Sequence, residues 1–308
     1  MTSKRTKHSS GILLTGLDGS NPLAFLATLG IAKVLSQKTS VEIDWQLTEG
    51  AWRPSVTTAD LDSPLASTIH DLLDTELSEP WSLSKKLPFE APMFREALLK
   101  CLQETSLLEQ APLDLYAAFG SETYCDEKGQ FQDTAFRMVR SGDSAGQGFP
   151  DYACKLAKQC TMEDIEGAMF GPWTFAKALS SFRWDPCENR EYALQSGNPS
   201  KEGFPTPVGV NRLALEALSL YTTMPGPRGL ETVGFIKASR GKDAEFRWPI
   251  WDAPLTVDAI RSLLTCRLLF AAETMTQQLR DIGVVAVFCS RQIKPNQYYR
   301  NFAPSFQV

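Results

Sequence analysis

Histidine is scarce in this chain: His8 and His70 are the two histidines among 308 residues. Histidine is the usual general base near neutral pH and the commonest metal ligand. A centre built from several histidine ligands is therefore excluded. A Ser-His-Asp triad would need one of these two residues, and neither stands near a nucleophile-elbow sequence. We expect His8 to belong to a polar tail and His70 to a surface helix.

Other sequence signals of chemistry are also missing. The seven cysteines include no C-x-x-C pair, which disfavours a structural zinc site. Neither phosphate-loop motif, G-x-x-x-x-G-K-[ST] or G-x-G-x-x-G, occurs. No run of 18 apolar residues is present, and no apolar signal-peptide core follows Met1–Ser10. We therefore expect a cytoplasmic protein with reduced thiols, no membrane contact, no metal, no cofactor and no catalytic residues.

Charge is distributed unevenly along the chain. The formal net charge is −5, which excludes a globally basic nucleic-acid binder. Residues 1–140 hold 13 basic and 19 acidic side chains, whereas residues 261–308 hold six basic and two acidic ones. A solvated surface would explain this asymmetry, but any nucleic-acid surface is expected on the later part of the chain.

Hydrophobic patterning predicts a mixed α+β fold that begins β-loop-α-β. GILLT predicts a strand, Asn21 and Pro22 suit the start of a helix, and the alternating VEIDWQL predicts a half-buried strand. Gly30 in that helix lets another backbone come close. Residues 1–10 are expected to form a flexible basic tail, and residues 11–308 one compact domain. A division into two lobes near residues 110–160 stays open.

The later elements are predicted to be mostly helical. Helices are expected over residues 64–78, 92–109, 162–170 and 210–221, whereas the Gly-rich residues 112–160 are predicted to be irregular. Thr161 and Asp164 suit a capping box. Residues 255–281 carry one broad apolar face, which predicts a single long helix before the strand VVAVFCS.

Three segments combine arginine with glycine or aromatic residues, a pattern that suits backbone contact and base stacking in nucleic acid. FRMVRSGDSAGQGFPDY contains Arg137 and Arg140, and SSFRWDPCENREYAL contains Arg183, Trp184 and Arg190. SRQIKPNQYYRNF contains Arg291, Lys294 and Arg300. An ordinary surface loop, a structural ion-pair cluster and a docked C-terminal segment are the respective alternatives. Asp185 and Glu188 also suit metal carboxylates, although spacing places no third ligand.

The order of short motifs resembles a known family. LTGLDGSNPLAFLATLGIAKVL, FRWDPCENREYALQSGNPS, GVNRLALEALSLYTTMP, WPIW and SRQI follow one another as in proteins of type I-G (formerly I-U) CRISPR systems, including the helicase-associated extension family. The resemblance spans residues 11–306 in scattered motifs. The matching positions are Asn21, Pro22, Gly30, Arg183, Trp184, Asp185, Pro186, Arg190, Asn211, Arg212 and Trp248.

This resemblance implies a component of an antiviral CRISPR complex that works beside guide RNA and target DNA. The chain has no His-Asp nuclease set and no helicase motifs, so it would be a non-catalytic partner of the effector proteins. The residues predicted to contact nucleic acid or a partner protein are Arg137, Arg140, Arg183, Trp184, Arg190, Asn211, Arg212, Arg291, Lys294 and Arg300. A protein-interaction scaffold without nucleic-acid contact and a carboxylate-dependent nuclease remain as alternatives.

Overall fold

The structure is a computed structural model, which describes residues 11–59, 61–105, 111–125, 129, 131–139, 148–175, 181–188, 206–227, 229–237, 243–271, 276–294 and 300–308. The tail predicted for residues 1–10 lies outside these ranges, as do Arg140, Arg190 and parts of the region 110–160. Helices and antiparallel sheets are both abundant, so the predicted mixed α+β class is confirmed.

The helices and strands follow in mixed order along the chain. The helices are α1 (Pro22–Leu35), α2 (Leu65–Leu72), α3 (Ala91–Glu104), α4 (Ala111–Phe119), α5 (Phe149–Gln159), α6 (Met162–Phe170), α7 (Val208–Glu216), α8 (Val257–Leu264), α9 (Leu268–Ala271) and α10 (Gln277–Asp281). The strands are β1 (Ile12–Leu13), β2 (Val41–Thr48), β3 (Ala51–Thr58), β4 (Gly120–Cys125), β5 (Phe131–Asp133), β6 (Thr223–Gly226), β7 (Gly229–Thr232), β8 (Phe235–Ile236), β9 (Ala244–Trp251), β10 (Val284–Ile293), β11 (Asn301–Phe302) and β12 (Phe306–Gln307). Short 3₁₀ turns span Pro186–Glu188 and Ala217–Leu220. No helix within the described ranges is long and apolar enough to cross a membrane.

The predicted β-loop-α-β opening is confirmed as β1, α1 and β2. These two strands flank β3 in an antiparallel sheet with the order β1-β3-β2. Val41, Ile43 and Trp45 of β2 are buried while the residues between them are partly exposed, as the alternating sequence predicts. Glu49 and Gly50 join β2 to β3 with φ angles of 52° and 79°, the backbone geometry that tight hairpins favour.

A second antiparallel sheet has the order β11-β10-β9-β8, with β12 paired along β10 beside β11. Its long central pair, β9 and β10, runs from Trp251 opposite Val284 to Ala244 opposite Gln292. The two sheets are connected because the indole N–H of Trp251 donates to the carbonyl of Ile43 at 2.7 Å. Ile43 also forms an isolated antiparallel bridge with Leu255.

Helix α1 lies in the interior, and 13 of its 14 residues are buried. A helix that is apolar on all sides needs neighbours on all sides. The ring of Phe25 lies 5.8 Å from Trp45 in the first sheet and 6.0 Å from Trp248 in the second, measured between centroids. Helix α7 packs along another side of α1. The central helix thus connects both sheets to the helical layer.

The contact between α1 and α7 depends on Gly30. A Cβ atom at this position would lie 1.8 Å from the carbonyl oxygen of Leu213. The close backbone approach predicted for Gly30 is therefore confirmed, with α7 as its partner. Gly209 makes the equivalent approach on another face of α7, where a Cβ would lie 1.9 Å from the carbonyl oxygen of Asp164.

Two predictions of secondary structure are wrong. The single long helix over 255–281 is replaced by α8, α9 and α10, with Thr256 and Thr276 capping the first and the last through their hydroxyls. Residues of the predicted apolar face are nevertheless buried in the separate helices. They are Ile260, Leu263, Leu264 and Leu279. The region 112–160 is not irregular throughout, because α4, β4, β5 and α5 lie within or overlap it.

Replacing Gly30 by alanine is expected to be severely destabilising. The new methyl group would force α1 away from α7 and cost about 3 kcal/mol or more. Gly167→Ala is the matched control, because nothing lies within 4 Å of a Cβ there and alanine favours the middle of α6 by about 0.5–1 kcal/mol. Thermal unfolding measures both variants. A Gly30→Ala protein that unfolds at the same temperature as the wild type would contradict the close approach of α1 and α7.

Two buried tyrosines provide a second prediction. Tyr221 is fully buried, and its hydroxyl has no hydrogen-bond partner among the described residues. Tyr116 instead donates its hydroxyl to Glu79 Oε2 at 3.1 Å. We expect Tyr221→Phe to be neutral or up to about 1 kcal/mol more stable, and Tyr116→Phe to lose about 1 kcal/mol, by urea unfolding. Equal losses in both variants would contradict this assignment.

Tyr221 also predicts a dependence on alkaline pH. Burial raises the pKa of Tyr221 above its ordinary value of 10.0, so the folded state favours the neutral phenol. The free energy of unfolding is therefore unaffected by this group below pH 10.0. Above that pH the phenol ionises more readily in the unfolded state, so stability falls as pH rises toward the raised pKa. We therefore expect urea unfolding above about pH 10 to show a smaller loss of stability in Tyr221→Phe than in the wild type. Identical pH profiles would refute the link to Tyr221.

Candidate functional site

Four segments meet around a cleft of about 410 Å³. They are the turn before α1, the residues that follow α6, the Phe182–Pro186 segment, and the connection from β11 to β12. The cleft is lined by Gly16, Asp18, Ser20, Asn21, Trp173, Pro186, Pro304 and Ser305. We call this the first cleft. It brings together the two longest motifs on which the family resemblance depends.

Asn21 joins the first and third of these segments. Its side-chain oxygen accepts hydrogen bonds from the backbone N–H groups of Leu23 and Ala24 at 2.8 and 3.3 Å, which caps α1. Its Nδ2 donates to Asp185 Oδ1 at 3.1 Å. The same Asp185 oxygen accepts from the backbone N–H of Cys187 at 3.0 Å, and Asp185 is 1% exposed. Asn21 thus both caps α1 and donates a hydrogen bond to a buried carboxylate.

The turn before α1 is fixed from three further directions. The carbonyl of Gly19 accepts from the indole N–H of Trp248 at 2.7 Å, and its N–H donates to the carbonyl of Trp52 at 2.7 Å. Ser305 donates its hydroxyl to the carbonyl of Ser20. These bonds come from β9, β3 and the β11–β12 connection, so the wall of the cleft is preorganised by both sheets.

A cationic edge adjoins the first cleft along the second sheet. Arg291 on β10 has a side chain that is 60% exposed, and its guanidinium carbon lies 5.7 Å from the ring centroid of Phe306. Exposed Lys294 follows the end of β10, and Arg300 immediately precedes β11, the strand that pairs with this end of β10. We call Arg291, Lys294, Arg300 and Phe306 the C-terminal edge.

Contacts within the fold engage both arginines of the C-terminal edge. Glu245 Oε1 lies 4.0 Å from Arg291 Nε, near the limit for an ion pair, and offsets part of the positive charge. Arg300 donates to the neutral amide oxygen of Gln292 at 2.7 Å, which orients its guanidinium. The edge is joined to the cleft through consecutive residues. Ser305 lines the cleft, whereas Phe306 lies beside the Arg291 guanidinium.

Two of the arginines predicted to contact a partner are buried and bonded within the fold. Arg137 is 3% exposed and pairs with Asp133 at 2.5 Å. Arg212 is 1% exposed, pairs with Glu216 and donates to the carbonyl of Asp74 at 3.0 Å. Guanidinium groups enclosed in this way have little surface to offer a phosphate. This burial disfavours a contact role for both arginines, whose charges are paired within the fold, and the predicted contact stays a prediction.

Trp184 and Asn211 are likewise internal. The indole N–H of Trp184 donates to the carbonyl of Phe136 at 2.9 Å, and its ring stacks on Phe182 at 4.5 Å. Asn211 Nδ2 donates to Thr206 Oγ1 at 3.0 Å and to the carbonyl of Pro207 at 3.1 Å. Both residues are 0% exposed, so neither presents a face to a base, which likewise disfavours their predicted contact role.

Arg183 differs from its buried neighbours because it is half-buried and has a φ of 63°. This left-handed conformation is uncommon for a residue with a side chain. The backbone N–H of Arg183 donates to Ser181 Oγ at 2.8 Å, which helps to hold the turn between buried Phe182 and Trp184. Arg140 and Arg190, the remaining arginines of these two segments, lie outside the described residues.

The described residues contain little that suits catalysis. They include no group of three or more His, Cys, Asp or Glu side chains arranged to hold a metal ion. Asp185 is buried, and one of its oxygens already accepts two hydrogen bonds, while the side chain of Glu188 is outside the described part. Burial raises the pKa of Cys289 to about 12, which makes its thiol a poor nucleophile near neutral pH.

A second cleft, of about 530 Å³, lies between the end of α1 and the start of α8. Its charged lining residues are Lys33, Lys38, Asp258 and Arg261. Burial, and then the positive charge of Arg261, lower the pKa of Lys33 below its ordinary value. Arg261 Nη2 itself lies 2.6 Å from Asp114 Oδ2.

Sequence reasoning missed Trp173, Phe306 and the second cleft. Trp173 follows Gly171 and Pro172 in a non-helical stretch after α6, where no local pattern marks it as part of a cleft. Phe306 reaches Arg291 because β12 pairs with β10, and two strand residues are too few to signal this pairing. The second cleft unites two cationic segments that are more than 200 residues apart.

The buried arginines carry a sequence signal that could have separated them from the exposed ones. Arg137 follows Asp133 by four residues, and Arg212 precedes Glu216 by four, a spacing that allows local pairing. Arg291 has no acidic residue at that spacing on either side. The position of the nearest carboxylate, rather than composition, thus distinguishes a structural arginine from an available one.

Comparison with known proteins gives no family assignment: no family model and no curated protein matches this chain. The resemblance carried by the short motifs therefore remains a hypothesis drawn from sequence.

The double role of Asn21 predicts a graded loss of stability. Asn21→Ser retains a good helix cap but loses the donor to Asp185, which should cost about 1.5–3 kcal/mol because the acceptor is a buried carboxylate. Asn21→Ala loses the cap as well and should cost about 1 kcal/mol more. Urea unfolding measures both variants. A serine variant as stable as the wild type would show that the contact with Asp185 contributes nothing.

Proposed function

We propose that this chain is a non-catalytic binding subunit of a type I-G CRISPR antiviral complex and that it contacts nucleic acid through the C-terminal edge. The assignment to a CRISPR complex is supported by the order of the sequence motifs. The contact is supported chiefly by one observation, the exposed Arg291 guanidinium beside the exposed ring of Phe306. Effector proteins of the complex are the proposed protein partners, with guide RNA or target DNA as the nucleic acid.

The chemistry of the edge suits a single strand. Arg291 and Lys294 supply positive charge to phosphates, and Phe306, which is 43% exposed, supplies a ring face to a base. Base stacking tolerates any sequence because every base has a π face. Glu245 offsets part of the positive charge, so we expect moderate affinity that falls with salt.

The two alternatives differ in what they require. A protein-interaction scaffold would use Phe306 and its neighbours as an apolar contact, with binding that changes little with salt. A carboxylate-dependent nuclease would require Asp185 to reach a metal ion and substrate. Asp185 is 1% exposed, and one of its oxygens already accepts hydrogen bonds from Asn21 and Cys187, so this role is disfavoured. Direct binding therefore has the stronger support.

Charge reversal tests the nucleic-acid contact. We expect Arg291→Glu combined with Lys294→Glu to weaken binding of labelled single-stranded DNA or RNA in fluorescence anisotropy. The slope of log K against log salt should fall by roughly 0.7 for each phosphate that the variant no longer neutralises. Arg95→Glu with Lys100→Glu on α3 makes the same charge change at exposed positions of another element and should have a smaller effect.

Two results would overturn this proposal. One is an unchanged affinity and salt slope in the Arg291 and Lys294 variant. The other is a wild-type chain that binds neither single- nor double-stranded DNA or RNA at low salt. The assignment to a CRISPR complex is tested separately by the gene neighbourhood, which should contain a nuclease-helicase gene and a repeat array.

A further inference from the structure

The second cleft concentrates positive charge that the fold does not fully neutralise. Lys33 and Lys38 line it, and no carboxylate oxygen among the described residues lies within ion-pair distance of either ammonium group. Lys33 is half-buried on the last turn of α1. Arg261 supplies a third cation, and its pair with Asp114 occupies only part of a guanidinium that has five N–H groups.

Burial makes the unpaired charge of Lys33 costly, because an ammonium group partly removed from water favours its neutral form unless an opposite charge compensates it. The lowered pKa of Lys33 agrees with this environment and with the repulsion from Arg261. Asp114, Glu216 and Asp258 act in the opposite direction but more weakly. An anion in the cleft would supply the missing compensation.

The other lining groups favour an oxyanion with several acceptor oxygens. Ser40, Thr256 and Gln37, which carry hydroxyl and amide groups, line the cleft with the three cationic residues. Thr256 caps α8 through the N–H of Ala259, so the N–H groups of Val257 and Asp258 have no intrahelical partner at the start of this helix. The volume is within the range of small-molecule sites.

We propose that the second cleft binds a phosphate group, held by Lys33, Lys38 and Arg261. The ligand is a phosphate monoester or a phosphodiester, since both carry the same charged oxygens. The single lining carboxylate, Asp258, favours a ligand that also offers a hydrogen-bond donor over bare inorganic phosphate. This site is independent of the C-terminal edge and does not rest on the proposed function.

The experiment compares wild type with Lys33→Met by isothermal titration and thermal shift, using inorganic phosphate, AMP and a short single-stranded oligonucleotide. We expect AMP to stabilise the wild type and Lys33→Met to weaken its binding about tenfold, because one charge-assisted hydrogen bond is removed. Lys38→Met should weaken it less, since Lys38 is more exposed. Lys100→Met, with the same charge change on α3, is the control and should bind normally.

Folding provides an internal check. Lys33→Met removes a half-buried charge, so the ligand-free variant should melt at or above the wild-type temperature. Stronger binding of AMP than of the oligonucleotide would identify a free phosphate ester, and the reverse would identify a phosphodiester strand. The proposal is overturned if no phosphate compound binds the wild type at millimolar concentration, or if a folded Lys33→Met protein binds as the wild type does.

The two proposals fail separately. Weaker oligonucleotide binding by the Arg291 and Lys294 variant, with AMP binding intact, supports the edge and shows that AMP binds away from it, as the cleft proposal requires. Weaker AMP binding by Lys33→Met, with the edge variant unaffected in oligonucleotide binding, supports the cleft and rejects the edge.

Discussion

The enclosure of α1 is the constraint on which the rest of the structure depends. Of the 14 residues of this helix, 13 are buried and the remaining one, Lys33, is half-buried, so nearly all of the helix surface must be covered by other elements. The first sheet, the second sheet and α7 provide that cover. The aromatic rings around Phe25 and the lack of a side chain at Gly30 set the distances at which these elements pack.

The matching positions and the exposed surfaces have different roles in this fold. Internal contacts engage most of the matching residues: Asn21 is half-buried, whereas Gly30, Trp184, Asp185, Asn211, Arg212 and Trp248 are buried. Their side chains position loops and helices. The surfaces that suit ligands instead involve Arg291, Lys33 and Phe306. Arg291 and Lys33 lie within the quoted motifs, but none of the three is among the matching positions. A motif resemblance of this kind bears first on fold and only indirectly on binding.

Local structure is predictable from the sequence where a single residue dictates the geometry. The cap at Asn21, the capping box at Thr161 and the alternation in β2 are each set within a few residues. The breaks between α8, α9 and α10 are not predictable, because an apolar stripe continues across the separate helices and tertiary packing ends them. The two clefts are beyond the reach of sequence patterns because each depends on contacts between distant segments.

The turn before α1 receives its hydrogen bonds from residues very late in the sequence. Gly19 is bonded to Trp248, 229 positions away, and Ser20 to Ser305, 285 positions away. During synthesis the first helix therefore emerges long before the residues that fix its entrance are made. Throughout that interval its apolar surface lacks the elements that cover it in the folded chain. Fragments cut between these residues would lack the same hydrogen bonds and should not reproduce the native turn.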